Sequence, residues 1–203
     1  MEKRTNYDIL REITIIPCLL AVAIVADRFL KIGWNINGGS INIATLILAL
    51  IAYRFGVVKG FIAAGIVFGL TTCLLDGYGF PTYPLDYLVA FGSISVIGFV
   101  NKRRSNSMKD RVFQYLFIFL AFSLHMIIRL IASTIDGMLF YSTGFVASLT
   151  YNLSYIWPTV LIAFVLFIAI LPGFEMATKM KVFSINNNDE TAQESETEVN
   201  QLG

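Results

Sequence analysis

Residues 112–135 read VFQYLFIFLAFSLHMIIRLIASTI, a mostly apolar run that carries His125, Arg129 and Ser133 in its interior. A bilayer core about 30 Å thick needs about 20 helical residues, so this run is long enough to cross one. Charged groups at that depth are costly unless they are paired or face a cavity. His125, Arg129, Ser133 and Gly137 stand four apart, which places them on one helical face. That face is expected to turn inward. Its plain structural alternative is an ion pair of Arg129 with Asp86 or with Asp136.

The rest of the chain reads the same way. Of its 203 residues 56% are hydrophobic and 14% are charged, whereas a soluble domain carries charge on about a quarter of its positions. Apolar stretches also run near Ile9–Leu30, Ile41–Tyr53, Val57–Leu75, Pro84–Val100 and Val146–Leu171. The predicted fold is therefore all-α, a polytopic membrane protein with six transmembrane helices. The second and third runs are separated only by Arg54, Phe55 and Gly56, which predicts a tight helical hairpin. The second is short for a span, so tilt or burial must compensate. The first is followed by Asp27 and Arg28 and shows no small-residue cleavage site, so it reads as a retained span rather than a signal peptide.

Basic residues set the expected orientation. Lys3, Arg4 and Arg11 precede the first run; Arg54 and Lys59 mark the hairpin; Lys102, Arg103, Arg104, Lys109 and Arg111 follow the fourth; Lys179 and Lys181 follow the sixth. The opposite loops hold only Lys31 against Asp76 and Asp136. This predicts a multi-pass plasma-membrane protein with both termini cytoplasmic. Residues 1–182 form the expected membrane domain. Residues 183–203, polar and acidic without apolar periodicity, form an expected disordered cytoplasmic tail.

Several function classes drop out. A net charge of +1 gives no reason to expect nucleic acid. Cys18 and Cys73 lie in apolar runs without metal-ligand spacing, so neither a metal nor a cofactor is expected. With one histidine and no nucleophile elbow, zincin or phosphate-loop motif, the chain does not read as an enzyme. Any ATP-driven transport would need its ATPase on another polypeptide.

Three polar regions could hold a ligand. The glycine-rich segment 33–39 carries Trp34, either an interfacial anchor or part of a lid. Asp86 and Tyr87 open the fourth run behind Pro84. An acid there complements the helix dipole, and with Tyr78, Tyr83 and Tyr87 beside it also suits a cationic ligand. The sixth run holds Ser148, Thr150, Tyr151, Asn152, Ser154 and Tyr155, residues that can glue helices together. Asn152, able to donate and accept at once, can equally read the edge of a heterocycle.

At these residues the chain resembles the thiamine-binding S components of energy-coupling factor (ECF) vitamin transporters. The resemblance rests on Leu85-Asp86-Tyr87-Leu88-Val89-Ala90-Phe91, on Ser148-Leu149-Thr150-Tyr151-Asn152, on the Gly33-Trp34 loop and on the Arg54-Phe55-Gly56 hairpin. It implies a six-helix bundle that captures thiamine from outside and docks on a transmembrane coupling protein carrying two ATPase subunits. It also implies a lid role for Trp34 and a counter-charge role for Asp86 beside Tyr87. Tyr141 would stack on the ligand, and Asn152 would hydrogen-bond to it, with Tyr151 and Arg129 in the same site. Small residues on the first helix, Thr14, Cys18 and Ala21, fall where such proteins dock. Ser133 stands where the family has a pocket histidine, Ala147 where it has a tyrosine, and the loop from Tyr141 to Val146 is shorter than usual. These departures keep a second ligand class open, another vitamin or a pyrimidine precursor. A membrane scaffold without transport is the alternative of a different class.

Overall fold

The computed structural model describes the backbone of residues 6–30, 32–33, 39–102 and 108–201, and side-chain environments over most of that range up to residue 176. Within it lie six long helical segments: α1 (Asn6–Phe29), α2 (Ala44–Phe55), α3 (Val57–Asp76), α4 (Phe80–Val100, continuing to Lys102), α5 (Met108–Phe140) and α6 (Phe145–Gln201). Four of them, α3 to α6, contain runs long and apolar enough to cross a membrane. Most of the basic residues used for orientation lie outside the described side chains.

The hairpin between α2 and α3 is a single glycine. Gly56 has φ of 90°, a conformation that side chains disfavour, and its N–H closes the last turn of α2 on the Ala52 carbonyl at 2.9 Å. The short α2 is compensated by burial: Ala44, Thr45, Leu46, Leu48, Ala49, Ile51, Ala52 and Tyr53 are all enclosed. It packs against α1, α3 and the second half of α4.

Helices α3 and α4 each contain a seven-residue π-helical stretch, Ile62–Phe68 and Tyr83–Val89. The two face one another across a gap that only glycine fits. A Cβ on Gly65 would sit 2.8 Å from the Leu88 carbonyl oxygen. The Tyr83 hydroxyl donates to the Gly65 carbonyl at 3.2 Å, using the same close approach. Close packing through small residues is the usual adhesive between helices in lipid, where apolar surface brings no net drive to associate.

Polarity is arranged inside out. On α5, Phe113, Leu116, Leu120, Ile127 and Ile131 are exposed, while His125, Arg129 and Ser133 are buried. The inward face expected from the four-residue spacing is the face observed. Apolar exposure of this kind suits a hydrocarbon solvent.

One feature differs from expectation. The segment after α1 forms a small antiparallel ribbon, β1 (Ile32–Gly33) with β2 (Ser40–Ile41), in an otherwise helical chain. The helical backbone of α6 continues through residue 201. The chain divides into two compact units, Met1–Leu166 and Phe167–Gly203, the second consisting of the distal part of α6 and the chain end.

Candidate ligand site

The entrance to α4 is shaped by its turn chemistry. Gly79, at φ of 102°, lets the chain reverse, and Thr82 folds back to bond the Gly79 carbonyl through both its N–H, at 3.3 Å, and its hydroxyl, at 2.9 Å. Pro81 and Pro84 occupy early helical positions, where a missing N–H costs nothing. The π-helical stretch that follows holds Asp86 and Tyr87. Such widened turns are often found at functional sites.

Asp86 accepts a hydrogen bond from the hydroxyl of Ser133 on α5. The two residues expected to contact a ligand thus contact each other. Tyr87 is buried, and its hydroxyl donates to Asp76 at 3.0 Å.

Arg129 lies one turn before Ser133, with its guanidinium 4.7 Å above the ring of Phe91. Among the described residues it forms no ion pair with Asp86 or Asp136, so neither structural pairing is made. Its Nη1 is buried without a hydrogen-bond partner, as are Thr134 Oγ1 and Asp136 Oδ1 farther along α5. His125 points elsewhere and bonds Ser93 at 2.7 Å.

The third wall comes from α6. Ser148 donates to the Thr134 carbonyl at 3.0 Å, and a side chain at Gly137 would collide with it, so α5 and α6 meet closely here. Asn152 is buried; its amide donates to the Ser148 carbonyl at 3.0 Å, and its oxygen accepts from the Tyr155 hydroxyl at 2.8 Å. The same amide nitrogen also lies 3.4 Å from the Ser148 hydroxyl, so one lone pair on the amide oxygen remains for another partner. Two hydrogen-bonded pairs, Asp86 with Ser133 and Asn152 with Tyr155, thus lie on α4, α5 and α6.

Tyr155, named above only among the polar residues of the sixth run and given no role, pairs with Asn152. The signal was present, since it stands three residues after Asn152 and four after Tyr151, on the same face. Its ring packs at 5.6 Å against Tyr151, and Gly39 abuts it so closely that a Cβ there would lie 2.7 Å from Cδ1. The residue ahead of β2 thus rests on α6.

Tyr141 lies in the turn between α5 and α6, 49% exposed, with its ring edge-on to Tyr78 at 6.4 Å. Partial burial, and then the negative charges of Asp136 and Asp86, push its phenol up to about 12, so it is neutral at physiological pH. Trp34 lies outside the described residues. Thr14, Cys18 and Ala21 share an exposed face of α1, which Pro17 also joins.

Comparison with known proteins gives three findings. The family model described as thiamine transporter protein (Thia_YuaJ) matches residues 13–179. The curated protein "Thiamine transporter ThiT" of Bacillus subtilis (strain 168) is 30% identical over 152 residues, covering 68% of this chain and 77% of that protein. A solved structure of ThiT from Listeria monocytogenes superposes with a TM-score of 0.67 at 21% identity, covering 81% of this chain and 94% of that one. At that identity the last of these speaks to the fold.

Proposed function

Because the chain belongs to the thiamine transporter protein family, we propose that it is the substrate-binding component of an ECF-type transporter and captures thiamine on the outer side of the plasma membrane. Asp86 balances the positive thiazolium. Tyr87 and Tyr141 offer aromatic faces, which attract a cation through the ring quadrupole. Asn152, Tyr151, Ser133 and Arg129 address the polar edge of the ligand, and Trp34 closes over it. The membrane domain spans residues 1–182, the acidic end spans 183–203, and both termini are cytoplasmic. Thr14, Cys18 and Ala21 meet a coupling protein that carries two ATPase subunits.

The observation that carries this reading is the Asp86 carboxylate set beside Ser133, on a helix whose neighbouring Arg129 and Asp136 keep buried, unpartnered polar atoms. A buried polar atom without a partner costs about 1–3 kcal/mol. Arg129 and Asp136, seven residues apart, share one face, and a polar ligand there satisfies both atoms.

A second ligand class, another vitamin or a pyrimidine precursor, is favoured by one observation: Ser133 stands at the histidine position and spends its hydroxyl on Asp86. Isothermal titration of the detergent-purified chain with thiamine, hydroxymethylpyrimidine and riboflavin separates the readings. Saturable heat with thiamine alone is expected. Heat only with another compound moves the assignment to that compound, and none with any of them leaves the scaffold.

A further inference from the structure

Asp76 ends α3, where a carboxylate faces the negative end of the helix dipole. Its placement there needs compensation, and two partners supply it. The Arg28 Nη2 lies 2.9 Å from one carboxylate oxygen, and the Tyr87 hydroxyl donates to the other at 3.0 Å. Arg28 occupies the last turn of α1, the favourable end for a cation, and also donates to the Thr72 carbonyl at 3.4 Å.

On its other side, Arg28 Nε stands 3.9 Å from Asp27, whose Oδ1 accepts from the Asn42 amide at 2.9 Å. Asn42 directly follows β2. The chain Asn42, Asp27, Arg28, Asp76, Tyr87 therefore runs from the base of the ribbon to the residue beside Asp86, through groups on α1, α3 and α4.

Stability alone explains this poorly. The Arg28 and Asp76 side chains keep 24% and 22% of their area exposed, and ion pairs that remain partly wet add little to folding. What the arrangement does achieve is orientation. Tyr87 has its hydroxyl pinned at one end and its ring set 6.2 Å from Phe91, the ring beneath Arg129.

We propose that Asp76, braced by Arg28, is a positioning residue of the ligand site: it holds the Tyr87 hydroxyl and so fixes the aromatic face beside Asp86. The proposal rests on the reading of Asp86 and Tyr87 as ligand-contacting residues.

The test measures thiamine affinity by titration calorimetry on the full chain, alongside thermal melting of the same samples. Asp76→Ala and Tyr87→Phe should each weaken binding about tenfold, the usual scale for one hydrogen bond to a charged group. The double variant should bind no worse than either single one, because both remove the same link. Asp76→Asn, which can still accept from the tyrosine hydroxyl, should recover most of the affinity. Melting midpoints should stay close to that of the unmodified protein. Unchanged affinity in Asp76→Ala, additive losses in the double variant, or losses that track melting would overturn the positioning role while leaving the proposed function standing. Absence of thiamine binding by the unmodified chain would instead overturn the function and this role with it.

Discussion

The Ser133 hydroxyl donates to the Asp86 carboxylate, tying the middle of α5 to the π-helical turn of α4. The two residues are separated by 47 positions in sequence. Among the described residues the acid has this hydroxyl as its hydrogen-bond partner and no ion pair with arginine within 4.0 Å.

Asp86→Asn should therefore weaken thiamine binding by about 30-fold or more, since removing one member of a desolvated charge pair costs at least about 2 kcal/mol. Folding should persist, because asparagine can still accept from Ser133. Calorimetry and size-exclusion profiles of the same preparation check both halves. Collapse of folding with no specific loss of affinity would favour the scaffold reading.

Gly137 separates α5 from Ser148 of α6 with no room for a methyl group. Gly137→Ala should destabilise the protein by about 1–2 kcal/mol, the overpacking cost less the gain in helix propensity. Adding Ser148→Ala removes the atom in conflict and should return part of that loss. Melting of the two single variants and the double variant against the unmodified chain reads the coupling.

His125 is fully enclosed and bonded to Ser93, away from the Asp86–Ser133 pair. Ser93→Ala should cost about 1–3 kcal/mol by leaving the imidazole unpartnered. Thiamine affinity should change less than about twofold. A large affinity loss at unchanged stability would place His125 in the ligand site.

Tyr141 has its phenol pushed up to about 12 from a usual 10. A tyrosine raised in the folded state contributes stability that is intact below its unfolded value near 10 and is lost as pH rises through about 12. Between neutral pH and about 9 its ring should behave as a neutral aromatic. Alkaline difference spectra of the unmodified chain against Tyr141→Phe should show the missing tyrosinate signal near 12; a signal near 10 would contradict the assigned surroundings.

The chain has two tryptophans, Trp34 and Trp157, so Trp157→Phe isolates the first. If Trp34 closes over the ligand, thiamine should still quench fluorescence in that variant, at the concentrations that titrate heat. Quenching that disappears with Trp157 would assign Trp34 to the membrane interface.

The helices were legible because their determinants are local. A run of about 20 apolar residues is a span wherever it folds, and a four-residue spacing marks one face whatever lies opposite. This is why α5 was readable down to its inward residues, and why the glycine hairpin at 56 followed from three residues. The ribbon of Ile32–Gly33 with Ser40–Ile41 was not, since a two-residue strand has no period to detect.

By itself, then, the sequence determined the solvent of this protein, the number of its helices and the side of α5 that turns inward, all of which follow from side-chain transfer energies summed over neighbours in the chain. Only the tertiary structure decided that Asp86 meets Ser133, that Asp76 joins Arg28 to Tyr87, and that Ser148 of α6 meets the Thr134 carbonyl of α5. Those partners are chosen by helix rotation and by the widened π turns of α3 and α4, and such geometry is set where helices pack on one another through Gly65 and Gly137, beyond the reach of any local pattern.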